Sequence, residues 1–231
     1  MIKLFWLLAT LVLAGSPEAP QEAAELRPVL LVPGWMGRAV DLTALKERLV
    51  RDGWPEEWVF PLEFDDPVGS SEAHAEELEA AIREVLAETG VGELDIVAHS
   101  MGGLAVWVLL QEAGEALPIN RVAFLATPFQ GTVTAHLAWG EGGPEMVPGS
   151  DFLRELHEGG LPQNWVNLLA VRTPLDLTVL PGFDASFLEI RHQVICCPTH
   201  QGLLDHEETY QVVRDFLLYG RKAEGERPSP F

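Results

Sequence analysis

Apolar residues along this chain follow two rhythms. Short, largely apolar runs at 28–32, 58–62, 93–98, 121–126, 166–171 and 193–197 have the length of strands buried in a parallel sheet. Pro61 puts the second of these near a sheet edge, where a missing N–H is tolerated. Between the runs, apolar positions recur at helical spacing. Leu42, Leu45 and Leu49 line one side of 41–52, with Asp41 as the expected N-cap and Gly53 just past the end. Leu78, Ile82, Val85 and Leu86 mark one face of 71–89, and Gly90 stops that helix. Residues 102–114 are apolar on most sides and predict a buried helix. Residues 207–219 predict a closing helix with Val212, Val213, Phe216 and Leu217 turned inward. Strands alternating with helices predict an α/β fold, a mostly parallel six-stranded sheet with helices on both faces.

Three stretches depart from this alternation. Residues 1–16 carry one charge, Lys3, followed by an apolar run from Leu4 to Ala14 that is too brief for a typical membrane span. This pattern reads as a signal peptide and an exported protein, with an uncleaved N-terminal anchor as the alternative. Residues 17–26 then read as a linker and 27–220 as one minimal domain; the polar tail at 221–231 reads as loose. The segment 127–164 is long and irregular, and such segments are usually functional or disordered. It holds an apolar flap around Ala135, Leu137 and Trp139 and a helical turn at 151–156, which makes it the candidate lid.

Charge narrows the partners. The 231 residues hold 35 acids against 15 Lys and Arg, a balance of -20. That disfavours nucleic acid and anionic lipid as electrostatic partners, and favours a neutral substrate or neutral lipid surface and a monomeric, soluble state. Ten acids and no Lys or Arg fall between Asp52 and Ile82, far in sequence from the catalytic candidates below, and read as a solvated face. They lack the spacing of a calcium loop. The only cysteines, Cys196 and Cys197, are adjacent and read as two free buried thiols, since neighbours on a strand point to opposite faces, with a vicinal disulfide or an intermolecular bridge as the alternatives.

The chemistry concentrates where the third strand meets the buried helix. Ala98-His99-Ser100-Met101-Gly102 places a serine on a sharp strand-to-helix turn, with small neighbours because the turn is crowded. A serine needs a base, and the base needs an orienting carboxylate. Asp176 follows the fifth strand and His200 the sixth, so both project from the sheet edge that carries Ser100. Asp184 is the alternative acid; His192 and His206 are weaker candidates for the base. His99 adjoins the serine but points away from it, as a packed neighbour. Two backbone donors suit a developing oxyanion: the N–H of Met101, and the N–H of Trp35 in the loop after the first strand, where Gly34 permits a tight turn. Trp35, Trp139 and Phe183 are candidates to line an apolar pocket.

These residues resemble those of the small α/β-hydrolase lipases and esterases of the bacterial triacylglycerol lipase type. The likeness rests on Leu31-Val32-Pro33-Gly34-Trp35-Met36-Gly37, on the Ala-x-Ser-x-Gly elbow, on Ala126-Thr127-Pro128, and on His200-Gln201-Gly202-Leu203-Leu204. Pro148-Gly149-Ser150-Asp151-Phe152-Leu153 resembles a further segment of that group. The resemblance implies an α/β-hydrolase fold and a serine carboxylester hydrolase that uses neither cofactor nor metal. It departs at Pro33, where a histidine that helps shape the oxyanion loop is usual. A thioesterase or acyltransferase on the same triad, and a non-catalytic binding module of the same fold, are the alternatives.

Overall fold

The computed structural model describes residues 25–162, 165–181 and 190–220. The expected leader at 1–16, the linker before residue 25 and the tail at 221–231 lie outside them. Six strands form one sheet: β1 (Val29–Val32), β2 (Val59–Pro61), β3 (Leu94–His99), β4 (Ile119–Leu125), β5 (Asn167–Arg172) and β6 (Arg191–Val194). Their order is β2-β1-β3-β4-β5-β6, and every neighbouring pair is parallel. Among the described residues the sheet is thus wholly parallel. β2, the strand with the proline, is an edge.

Strand residues alternate between two cores, because successive side chains leave a strand on opposite faces. Leu30, Val32, Ile96, Val122, Phe124 and Ala170 face one side. Val29, Leu31, Val97, Ala123, Leu125, Leu169 and Val171 face the other. The helices are α1 (Thr43–Arg51), α2 (Ser71–Thr89), α3 (Gly102–Ala113), α4 (Gly142–Glu145), α5 (Asp151–Gly159) and α6 (Glu207–Tyr219). α2, α3 and α5 cover the first face through residues such as Leu78, Ile82, Leu104 and Leu153. α1 and α6 cover the second through Leu45, Leu49, Tyr210 and Phe216. α3 is buried from Gly102 to Leu110, as its apolar circumference requires.

α2 runs from Ser71 to Thr89 because both ends are capped. The Ser70 hydroxyl accepts from Ala73 N–H, and Gly90 takes the left-handed conformation beyond the last turn. Elsewhere the structure differs from the pattern. Asp41 does not cap α1: it lies in a 3-10 turn, Ala39–Leu42, where its carboxylate accepts from Arg38 N–H at 2.8 Å. The turn at 151–156 is the start of a nine-residue helix, capped by Ser150. β6 begins at Arg191 and ends at Val194, so the cysteines lie on the turn beyond it. They are exposed and joined to each other as a vicinal disulfide, not two free buried thiols. The opposite-face argument does not apply to them, because they are not on a strand.

Candidate active site

β3 delivers the chain to Ser100 and α3 carries it away. Ser100 sits at φ 52°, a left-handed backbone that costs a non-glycine residue about 1–2 kcal/mol. Its N–H donates to the Leu125 carbonyl at 2.8 Å, which ties the turn to the end of β4. A Cβ on Gly102 would overlap the Pro33 carbonyl, and one on Gly103 would overlap the Thr127 hydroxyl. The small residues after the serine are therefore required by close backbone approach. The other non-glycine residues with positive φ among the described residues are Met36, at 57°, and Ala126, at 51°. All three follow the carboxyl ends of central strands, where backbone strain tends to mark function.

A relay of side chains runs from Ser100. Its Oγ lies 2.9 Å from Nε2 of His200, and Nδ1 of His200 lies 2.8 Å from Oδ2 of Asp176. The other carboxylate oxygen, Oδ1, accepts from the N–H groups of Thr178 and Val179, each at 2.8 Å. Burial pushes the Asp176 carboxyl up. The hydrogen bond and charge of His200 and the two amide donors outweigh it and hold the group below the ordinary aspartate range. All three side chains are buried, so the relay works in a low dielectric. The amide donors at 178 and 179 escaped the sequence reading. Their signal was an aspartate followed two and three residues on by free N–H groups, the pattern of a local Asx turn.

The other titratable candidates lie elsewhere. His192 is exposed on β6 and His206 is the N-cap of α6. Asp184 and Phe183 lie outside the described residues. His99 is buried, and its Nε2 lies 3.3 Å from the His200 carbonyl. A carbonyl only accepts, so this contact fixes the Nε2–H tautomer. Desolvation and the neighbouring His200 push the His99 imidazole down to about 3, so it is neutral across the physiological range.

The loop after β1 closes against the serine. A Cβ on Gly34 would lie 2.7 Å from Ser100 Cβ. Gly34 to Gly37 form a turn closed by Gly37 N–H on the Gly34 carbonyl at 2.8 Å. Met36 occupies the positive-φ position of that turn and donates its N–H to the Pro67 carbonyl at 2.8 Å. The N–H groups of Trp35 and Met101 donate to no acceptor among the described residues. A pair of free donors beside a serine hydroxyl can hold a developing oxyanion.

Above them opens a cavity of about 430 Å³, lined by Gly34, Trp35, Ser100, His200, Thr132, Leu137, Trp139 and Val179 among others. Trp35 and Trp139 meet edge to face at 4.6 Å, and the Trp35 indole N–H donates to the Trp139 carbonyl at 3.1 Å. The segment 127–164 is folded down at three places. Val133 N–H and the Thr132 hydroxyl bond the 178–180 loop, Gly142 N–H donates to the Val68 carbonyl at 3.1 Å, and Glu145 accepts from Ser71 N–H at the start of α2.

The acidic stretch is nearer the site than its sequence distance implies. Besides the Pro67 and Val68 carbonyl contacts, the Glu63 carboxylate accepts from Ala39 N–H at 3.4 Å and pairs with Arg38. Glu63, Asp65 and Asp66 are exposed beside the two loops that frame the cavity, and Asp41 lines the cavity itself. No acid of the stretch lines the cavity and most are exposed, as a solvated face requires, while its backbone at Pro67 and Val68 anchors the two loops beside the site.

Residues 52–160 match the family model for the alpha/beta hydrolase fold. Among solved structures, lipase B of Aspergillus fumigatus superposes with a TM-score of 0.70 at 18% identity, over 83% of this chain and 52% of that one. The chain therefore spans about half the length of the Aspergillus protein. The mature lipase BlEst2 of Bacillus licheniformis superposes with a TM-score of 0.66 at 17% identity, over 88% of this chain and 96% of that one. A polyneuridine aldehyde esterase gives 0.59 at 15% identity, over 83% and 99%.

Proposed function

The chain has the α/β-hydrolase fold, and on that premise we propose that it is a serine hydrolase of neutral carboxylic esters. The observation that carries the reading is the buried relay from Ser100 through His200 to Asp176, opening on an apolar cavity beside two unengaged N–H groups. Ser100 attacks the ester carbonyl while His200 takes its proton, and Asp176 holds the imidazole in the tautomer that can accept it. The N–H groups of Trp35 and Met101 hold the tetrahedral oxyanion. His200 returns the proton to the departing alcohol, and an acyl-enzyme remains on Ser100. A water, deprotonated by His200, then releases the acid.

The surface around the cavity suits an apolar partner. Seven of the nine large apolar residues exposed among the described residues lie on three loops that frame it: Met36, Val40, Val133, Leu137, Trp139, Leu175 and Leu177. Clustered exposure of this kind marks interaction surfaces rather than ordinary solvent-facing residues. With Asp41 lining the cavity and Glu63 bonded to the loop after β1, a neutral lipid surface fits better than an anionic one. The apolar start of the chain is the basis for placing the enzyme outside the cytoplasm. Among the described residues no helix is long and apolar enough to cross a membrane.

Ser100→Ala tests the reading. The expected result is loss of nitrophenyl-ester turnover by several orders of magnitude, with an unchanged circular dichroism spectrum. A variant that keeps most of its turnover overturns the mechanism. Acyl thioesters cleaved much faster than the matching esters replace the ester reading with the thioester one. Failure of a serine-directed phosphonate to label the parent protein replaces both with a non-catalytic module.

A further inference from the structure

We propose that Thr132 is a positioning residue for the triad carboxylate, acting through the backbone of the 178–180 loop; this rests on the ester-hydrolase reading of the site. Thr132 is buried at the start of the 132–146 flap, and none of its bonds is to Asp176 itself. Its hydroxyl donates to the Thr178 carbonyl at 2.8 Å and accepts from Leu180 N–H at 2.8 Å. The Thr178 carbonyl shares a peptide group with Val179 N–H, which donates to Asp176 Oδ1 at 2.8 Å. One rigid peptide plane therefore has Thr132 at its carbonyl end and the triad carboxylate at its N–H end. The next peptide contributes Leu180 N–H to the same hydroxyl.

This geometry does two things. It fixes the orientation of the plane, and so the side from which Asp176 Oδ1 is held. It also polarises the plane, because a hydrogen bond accepted at a carbonyl strengthens the donor at the other end of that amide. Val133 N–H adds a third bond between flap and acid loop, to the Leu180 carbonyl at 2.9 Å, and the Thr134 hydroxyl adds a fourth, to the Thr178 carbonyl, so the two form one bonded unit. Oδ2 is left for His200 alone. The Thr132 hydroxyl is thus the one group among the described residues that holds both peptides of the 178–180 loop, with the Thr134 hydroxyl sharing the Thr178 carbonyl beside it.

Thr132→Val keeps the side-chain shape and removes both hydroxyl bonds. We expect kcat to fall about 10- to 100-fold with KM changed less than about twofold, and Thr132→Ser to restore most of the loss. The decisive comparison repeats Thr132→Val in an Asp176→Asn background. If Thr132 acts through the carboxylate, the second substitution changes kcat less than about twofold there. An equal fall in both backgrounds overturns the proposal. Amide exchange read by NMR tests the same brace without substrate: Val179 and Leu180 should exchange faster in Thr132→Val and unchanged in Thr132→Ser. Unchanged exchange in Thr132→Val overturns the proposal whether or not the protein cleaves esters, whereas a parent protein inert to phosphonate counts against the ester reading alone. Thr132→Ala, which loses the same two bonds, serves if the valine variant does not fold.

Discussion

Gly34→Ala is the smallest change that should uncouple the oxyanion loop from the nucleophile. The added methyl carbon would lie 2.7 Å from Ser100 Cβ, 3.2 Å from the His99 carbonyl and 3.4 Å from His99 Nδ1. Ordinary carbon–carbon contact is near 3.5–4.0 Å, so the loop must retreat by about 1 Å. Ser100 cannot give way, since its N–H is bonded to β4 and α3 starts two residues later. Trp35 N–H follows Gly34 directly, so the retreat falls on one of the two oxyanion donors. Loss of one such donor costs about 10²–10³ in kcat, or roughly 3–4 kcal/mol. Folding stability should fall by only about 1–3 kcal/mol, the usual cost of an overpacked methyl. Steady-state kinetics on a nitrophenyl ester, with the melting temperature and the affinity for a boronate transition-state analogue, separates the two effects. The expected pattern is a large loss in kcat and in boronate affinity with KM nearly unchanged. Wild-type kcat with wild-type boronate affinity would refute the placement of the oxyanion at Trp35 N–H.

Two further outcomes follow from the electrostatics. His99 titrates near 3 in the fold, against about 6.5 for a free imidazole, so between those values the unfolded chain binds a proton that the native chain does not. Stability should therefore fall as pH drops below about 6.5, by about 3 kcal/mol at pH 4 from this residue alone. In His99→Gln that share of the slope should vanish; urea unfolding curves for the two proteins that stay parallel from pH 7 to pH 4 would contradict the assignment. Second, Asp41, which lines the cavity, and Glu63, bonded to the loop beside it, should discriminate between esters that differ only by a terminal carboxylate on the acyl chain. The anionic ester should show kcat/KM lower by about tenfold at low salt, and the gap should close toward 0.5 M salt as screening shortens to a few ångströms. A gap indifferent to salt would assign the difference to shape instead.

What could be read in the chain depended on whether the determining interactions were local. α2 was legible to the residue because Ser70 and Gly90 cap it and its apolar stripe is regular. The elbow was legible because the crowding of a strand-to-helix turn forces small residues around Ser100 within a few positions. β6 was displaced in the sequence reading because its residues, Arg191 to Val194, are half-exposed, while the apolar signal at 195–197 belongs to the turn beyond. Nothing local distinguishes Asp41 as a cap of α1 from Asp41 as a partner of Arg38 N–H. The Glu63 contact to Ala39 N–H and the Thr132 brace were invisible for a different reason. They join residues separated by tens of positions, through backbone atoms whose identity the side-chain pattern does not encode.

The same distinction explains why the site can tolerate backbone that local preference opposes. Met36, Ser100 and Ala126 all hold positive φ without being glycine, at a cost of about 1–3 kcal/mol each. Each is fixed by a bond made just beyond a buried strand: Met36 N–H to Pro67, Ser100 N–H to Leu125, Ala126 N–H to Val171. Those strands are packed on both faces, so the turns cannot relax without disturbing two cores at once. The polar groups of the site are satisfied by one another in the same region, from Ser100 through His200 and Asp176 to the 178–180 loop and Thr132. Removing a single hydroxyl or adding a single methyl there should shift the relay or its oxyanion loop by about 1 Å or less while the cores hold the fold. Activity and melting temperature are therefore expected to separate at these positions, whereas truncation of Leu78 or Phe216, each buried in one core, should lower both together.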